Sequence, residues 1–113
     1  MSLNEFLNTV KANESVSFAE TIAVISEHYT YQPTAFKNGG VENAAGQNEG
    51  SCKIFAFAKL NELTEAQTLS LFGDYYRVDV LENPDATDHQ NIRQFMQHGW
   101  TGIVFENDAL KSL

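Results

Sequence analysis

The chain has 113 residues, is 42% hydrophobic and 12% aromatic, and carries 15 acidic against 7 basic residues for a net charge of −8. A domain of this length buries roughly 65% of its unfolded surface and needs no disulfide or metal staple, and its one cysteine, Cys52, excludes an internal disulfide and fits a reducing compartment. The basic residues are scattered from Lys11 to Lys111, which disfavours nucleic acid and anionic lipid as partners because both need clustered Lys and Arg. A basic protein partner stays open, although an acidic surface is also a plain solubility device.

The elements follow from hydroxyl starts and apolar spacing. Ser2 with Glu5 has the spacing of a capping box, and Leu3, Phe6, Leu7 and Val10 then recur on one helical face that ends near Asn13. Ser17 with Glu20 opens a second helix with Phe18, Ile22, Ile25 and Tyr29 inward, stopped by Pro33. A long Gly- and Asn-rich stretch follows to Gly50, with short strands expected around residues 34–37 and 41–43. Residues 53–60 (KIFAFAKL) fit both helical and strand periods. A buried helix capped by Ser51 is the favoured reading. Thr64 with Gln67 starts the next helix, with Leu69, Phe72, Tyr76 and Val80 on one face and a bend or close packing at Gly73. Asn83-Pro84-Asp85 is a turn. Thr87 with Gln90 caps a last helix running through Phe95 and Met96 to Gly99, and residues 100–105 read as a short buried strand. The expected class is α+β: a single helix-dominated domain of about five helices and a few short strands, spanning residues 1–113. No apolar run reaches the ~20 residues of a membrane span, and residues 1–13 lack the basic start and apolar core of a signal peptide. The expected location is cytoplasmic.

Three constellations can carry chemistry. Cys52 follows Gly50-Ser51 near a helix start, where free N–H groups lower a thiol's pKa, so it is a candidate nucleophile with His89 or His98 as base. Its alternative is a small buried apolar residue. His89 and Arg93 lie four apart at the start of the last helix and can share one groove, as an anion site or an acid–base pair. Alternatively His89 donates to Asp85 or a loop carbonyl, and Arg93 bridges to Asp88 or Asp74. The Gly/Asn loop is the third candidate. It is no phosphate-loop or dinucleotide fingerprint, yet Asn43, Asn48, Glu49 and Ser51 can project polar groups into a pocket, with Asn91 beside them. Trp100 is a further ligand-binding candidate, whose alternative is a core residue with its indole N–H on an acceptor such as a loop carbonyl. The three histidines and one cysteine lack metal-ligand spacing, so no metal and no cofactor is expected.

The stretches Tyr31-Gln32-Pro33-Thr34-Ala35-Phe36, Asn48-Glu49-Gly50-Ser51-Cys52-Lys53, Leu71-Phe72-Gly73-Asp74-Tyr75-Tyr76-Arg77 and Asp88-His89-Gln90-Asn91-Ile92-Arg93, with Gly99-Trp100, resemble the HopJ type III effector family over about residues 18–105. The resemblance implies an α plus β fold. It also implies a link to type III secretion in a plant-pathogenic bacterium, although relatives are similar to ordinary small proteins of free-living aquatic bacteria. It supplies no established reaction, so no catalytic residue carries over. Against delivery into a host cell stands the helix starting at Ser2, since type III substrates usually begin with a flexible polar leader. Two readings result. The first is a non-enzymatic binding or interaction domain that meets a host or cellular protein or a small polar ligand. The second is a small hydrolase- or transferase-like enzyme with Cys52, His89 and Arg93 around one cleft.

Overall fold

Three of the hydroxyl starts work as helix caps. In the computed structural model, which describes residues 2–113 and so leaves Met1 of the expected leader-free start outside, Ser2 Oγ accepts the Glu5 amide at 3.1 Å and opens α1 (Leu3–Lys11). Ser17 with Glu20 and Thr64 with Gln67 form reciprocal capping boxes that open α2 (Phe18–His28) and α4 (Glu65–Ser70). The other two starts are displaced. α3 spans Glu49–Leu60 behind Asn48, so Ser51 lies inside its first turn rather than capping it. α5 spans Gln90–His98 behind His89, while the Gln90 amide folds back on the Thr87 carbonyl at 2.8 Å.

α3 settles the ambiguous KIFAFAKL run. Cys52 and residues 54–58 are all buried, so this helix is apolar around most of its circumference and sits in the middle of the molecule. Phe55 touches the rings of Phe36, Phe72 and Phe95, with centroids 4.9–6.2 Å apart. Phe57 meets Phe6 and Tyr29 edge-on at 6.0 and 5.7 Å, which ties α1 and the end of α2 to the same core. The inward face of α2 is Thr21, Val24 and Ile25; Phe18 and Ile22 are only half-buried, and Tyr29 already lies in a strand.

α2 therefore ends before Pro33 acts, because β1 (Tyr29–Tyr31) follows it directly and pairs antiparallel with β5 (Leu110–Ser112). The Gly/Asn stretch forms a hairpin of β2 (Phe36–Asn38) and β3 (Val41–Asn43), and β2 also pairs antiparallel with β4 (Ile103–Phe105), giving the order β3-β2-β4. A single 3₁₀ turn, Gly99–Gly102, precedes β4, so the strand expected from Trp100 is half that length. The helix expected from Thr64 to Val80 is broken at Gly73. Its φ is +62°, and a Cβ there would lie 2.7 Å from the Phe18 backbone nitrogen, so the chain turns on α2 and resumes as a π-helical turn, Tyr75–Val80. The result is the expected α+β class, with five α-helices and five short strands among the described residues.

Candidate functional site

Four asparagines join the hairpin to α3 and α5. Asn43 and Asn91 exchange amide hydrogen bonds, Asn91 Nδ2 donating to Asn43 Oδ1 at 3.0 Å and Asn43 Nδ2 to Asn91 Oδ1 at 3.1 Å. Asn38 Nδ2 donates to the Asn91 carbonyl at 2.7 Å and to Asn91 Oδ1 at 3.1 Å. Asn48 Nδ2 donates to Asn43 Oδ1 at 2.7 Å. Asn38, Asn43 and Asn91 are all buried. Each amide offers two donors and an acceptor with two lone pairs, which is why asparagine can knit three elements at one point.

This network removes a cap. Asn48 precedes α3 in the left-handed region (φ 49°), and its side chain is spent on Asn43 rather than on the helix. His89 precedes α5 in the same conformation (φ 50°), and its Nε2–H donates to Asp79 Oδ2 at 3.0 Å instead of folding back. Helix geometry leaves the first amides of each helix without intrahelical acceptors. Both helices open on one cleft of about 360 Å³, lined by Asn48, Gly50, Ser51, His89, Gln90 and Asn91 on the polar side. Phe18, Phe72 and Tyr75 form its aromatic wall. Phe18 packs edge-on to Tyr75 at 5.0 Å, and Tyr75 lies 5.3 Å from the His89 ring. The site thus presents donors over an aromatic floor, with Asp79 orienting His89 from behind.

The structure brings Asn48, Ser51, His89 and Asn91 together, with Asn43 buried immediately behind them. The remaining candidates lie elsewhere. Glu49, exposed on the first turn of α3, is not among the residues that line this cleft. Trp100 sits beyond the far end of α5, where its indole N–H donates to the Leu63 carbonyl at 3.2 Å and its backbone N–H to Glu65 Oε2 at 3.1 Å. The expected Cys52/His89/Arg93 cleft does not form. Cys52 is 1% exposed, and its thiol points at the Thr34 carbonyl, 3.9 Å away, not at a histidine. Burial pushes that thiol above its ordinary value. Alkylation of the native protein near pH 7.5 should therefore be about 100-fold slower than in denaturant, since a buried thiol reacts only through opening of the fold; equal rates would show an accessible sulfur.

Arg93 is a loop clamp rather than His89's partner. Its Nε donates to the Asp88 carbonyl at 2.6 Å, Nη1 to the carbonyls of Asn83 and Pro84 at 3.0 and 3.3 Å, and Nη2 to Asp88 Oδ1 at 2.6 Å. The guanidinium holds the Asp88 carboxyl below its ordinary 3.8. A depressed folded value means that the clamp contributes fully above about pH 3.8 and is lost as pH falls through the folded value. A carboxyl titration followed by NMR should place Asp88 below its ordinary 3.8, and Arg93→Gln should raise it toward that value. An unshifted Asp88 in the parent would remove the contact. The sequence offered Asp88 as one partner of Arg93, but Asp79 as the partner of His89 was missed, as were Phe18, Tyr75 and Gln90 in the lining. Their signal is spatial: Gly73 folds residues 75–79 across the start of α2.

Among the described residues no helix is long and apolar enough to cross a membrane, and no group of three or more His, Cys, Asp or Glu side chains is placed to hold a metal ion. No curated protein matches the chain. A crystal structure of the unknown function protein VPA0580 is similar over 100% of this chain and 95% of its own, with 49% identity and a TM-score of 0.98. The family model described as HopJ type III effector protein matches residues 3–110. With nearly its whole length matched, the chain belongs to the HopJ type III effector family.

Proposed function

We propose that this HopJ-family chain is a binding domain without chemistry of its own, and that the cleft between the starts of α3 and α5 takes a small polar ligand. One observation carries the reading: Asn48, Ser51, His89 and Asn91, from segments 48–51 and 89–91, line a single cleft of about 360 Å³. That size falls in the range of small-molecule sites, which join an apolar wall to a few converging polar groups. The two helix starts add backbone donors, so a ligand rich in acceptors fits better than one rich in donors. The family description supports an effector-like role for the binding. It does not require catalysis, and the buried Cys52 supplies none.

The test is an amide-resolved NMR titration with a panel of small carboxylates, phosphate esters and neutral sugars. Gly50, Ser51, Gln90 and Asn91 should move together on one saturation curve for at least one class. Ser51→Ala and His89→Ala should each weaken that binding by about fivefold or more, the worth of one lost hydrogen bond to a bound group. A panel that leaves these four amides still up to roughly 10 mM, beyond the weakest useful affinity, removes the reading.

A further inference from the structure

The outer side of α5 carries a second cleft that the small-ligand reading does not use. It encloses about 280 Å³ between α5 and the turn after the π-helical segment, and its apolar lining is Leu81, Pro84, Ala86 and Met96 over a floor of Val80. Val80 is buried, but Leu81 and Met96 leave 48% and 45% of their surface in water. Exposed apolar side chains are common on this chain, but Leu81 and Met96 are the two that line the same cleft. The volume lies just below the ~300–1,000 Å³ of small-molecule pockets; it suits one or two anchoring side chains of a polypeptide.

The charge around the cleft selects the occupant. Glu82 follows Leu81, and Asp85 stands between Pro84 and Ala86; both are exposed. The one cation in the lining, Arg93, has only 10% of its side chain exposed and is committed to Asp88 and to the carbonyls of Asn83 and Pro84. Two exposed carboxylates thus flank lining residues in the chain, and among the described lining residues no cation is free to compensate them, on a chain of net charge −8. A second copy would set Glu82 and Asp85 against like charges, and an anionic membrane or a nucleic acid would be repelled for the same reason. A polypeptide with an apolar stripe and a basic flank meets neither obstacle.

We propose that this cleft is a docking surface for a basic amphipathic segment of a partner protein. One or two apolar side chains of the segment seat between Leu81 and Met96, and its Lys or Arg flank lies over Glu82 and Asp85. Apolar anchors supply the affinity and the charged rim supplies orientation and selectivity. The site shares Gln90 with the 360 Å³ cleft but none of its anchoring residues, so shifts at Leu81 and Met96 report this cleft alone and either proposal stands if the other fails.

The probe is a Leu/Lys amphipathic peptide of about 18 residues, a helix-in-groove ligand of the simplest kind, with a scrambled peptide of equal charge as control. Binding is followed by the Met96 methyl and Leu81 NMR signals and by isothermal titration calorimetry. Saturable shifts at both residues are expected from the amphipathic peptide alone, with affinity falling about tenfold between roughly 50 and 250 mM salt as the rim charges are screened. Met96→Gln should weaken binding about tenfold, the effect of losing an anchor, and Glu82→Lys with Asp85→Lys should do at least as much. Both variants alter exposed residues, and far-UV circular dichroism checks that each remains folded. No binding, equal binding of the scrambled peptide, shifts centred elsewhere, or unchanged affinity in the charge-reversed variant overturns the proposal. So does self-association of the free protein through Met96.

Discussion

Phe55→Ala should lower the free energy of unfolding by about 4 kcal/mol, the middle of the range for truncating a buried phenylalanine. Phe55 is 0% exposed and is the one ring that touches Phe36 of β2, Phe72 beyond α4 and Phe95 of α5. The lost transfer energy is joined by a cavity bounded by three further rings, whose aromatic contacts vanish with it. These walls belong to separate elements and cannot all close on the gap. For a domain of this size the loss corresponds to a melting point about 15 °C lower or more, and it consumes much of the ~5–15 kcal/mol that holds a typical domain together. Urea unfolding checks it. A cost below about 3 kcal/mol, the bottom of the range for such truncations, would mean that the four rings do not meet as described.

Asn91→Leu is the second variant with a large effect, at about 3 kcal/mol. Leucine matches the volume but returns none of the amide bonds. Asn43 loses its reciprocal partner, and Asn38 Nδ2 keeps only the carbonyl of residue 91. Asn43 keeps the Asn48 amide at 2.7 Å and a long donation to the Phe36 carbonyl at 3.4 Å, but a lost bond that water cannot replace costs more than the net worth of the bond itself. Asn43→Leu alone should cost a comparable amount. The double variant should cost less than the sum by about 1–3 kcal/mol, because each substitution removes groups that the other strands. Strict additivity would break the amide pair as described. The same substitution should also weaken whatever binds the cleft, since Asn91 lines it and holds the hairpin to α5.

The sequence announces its helices better than their ends. Ser17 with Glu20 and Thr64 with Gln67 are local devices, complete within four residues, and they appear where the spacing places them. The starts of α3 and α5 are not local. Each is set by a left-handed residue whose side chain bonds outside its helix, Asn48 to Asn43 and His89 to Asp79, so nearby Ser51 and Thr87 are passed over. KIFAFAKL is legible only once its surroundings exist, because a helix buried on most sides loses the periodicity that would identify it. The candidate site divides in the same way. Asn43, Asn48, Ser51, His89 and Asn91 are visible as polar residues in two loops. Their meeting depends on the β2–β3 hairpin, and the aromatic wall depends on the break at Gly73. Cys52 and Arg93 look reactive in sequence for reasons of residue type; burial and a ring of carbonyl acceptors give them structural work.

Asn38 carries a chemical consequence of its place. It is followed by Gly39, the neighbour that least obstructs cyclisation of an asparagine side chain to a succinimide, the route to deamidation. That reaction needs the Gly39 amide nitrogen to attack the Asn38 side-chain carbonyl carbon. In the fold the Gly39 N–H is held by the Gly102 carbonyl at 3.0 Å, and the Asn38 amide is pinned to Asn91. Neither reactant is free to reach the other. Ageing at this dipeptide is thereby tied to how often the hairpin comes away from α5 and the 99–102 turn, and accumulated isoaspartate at position 38 records those openings.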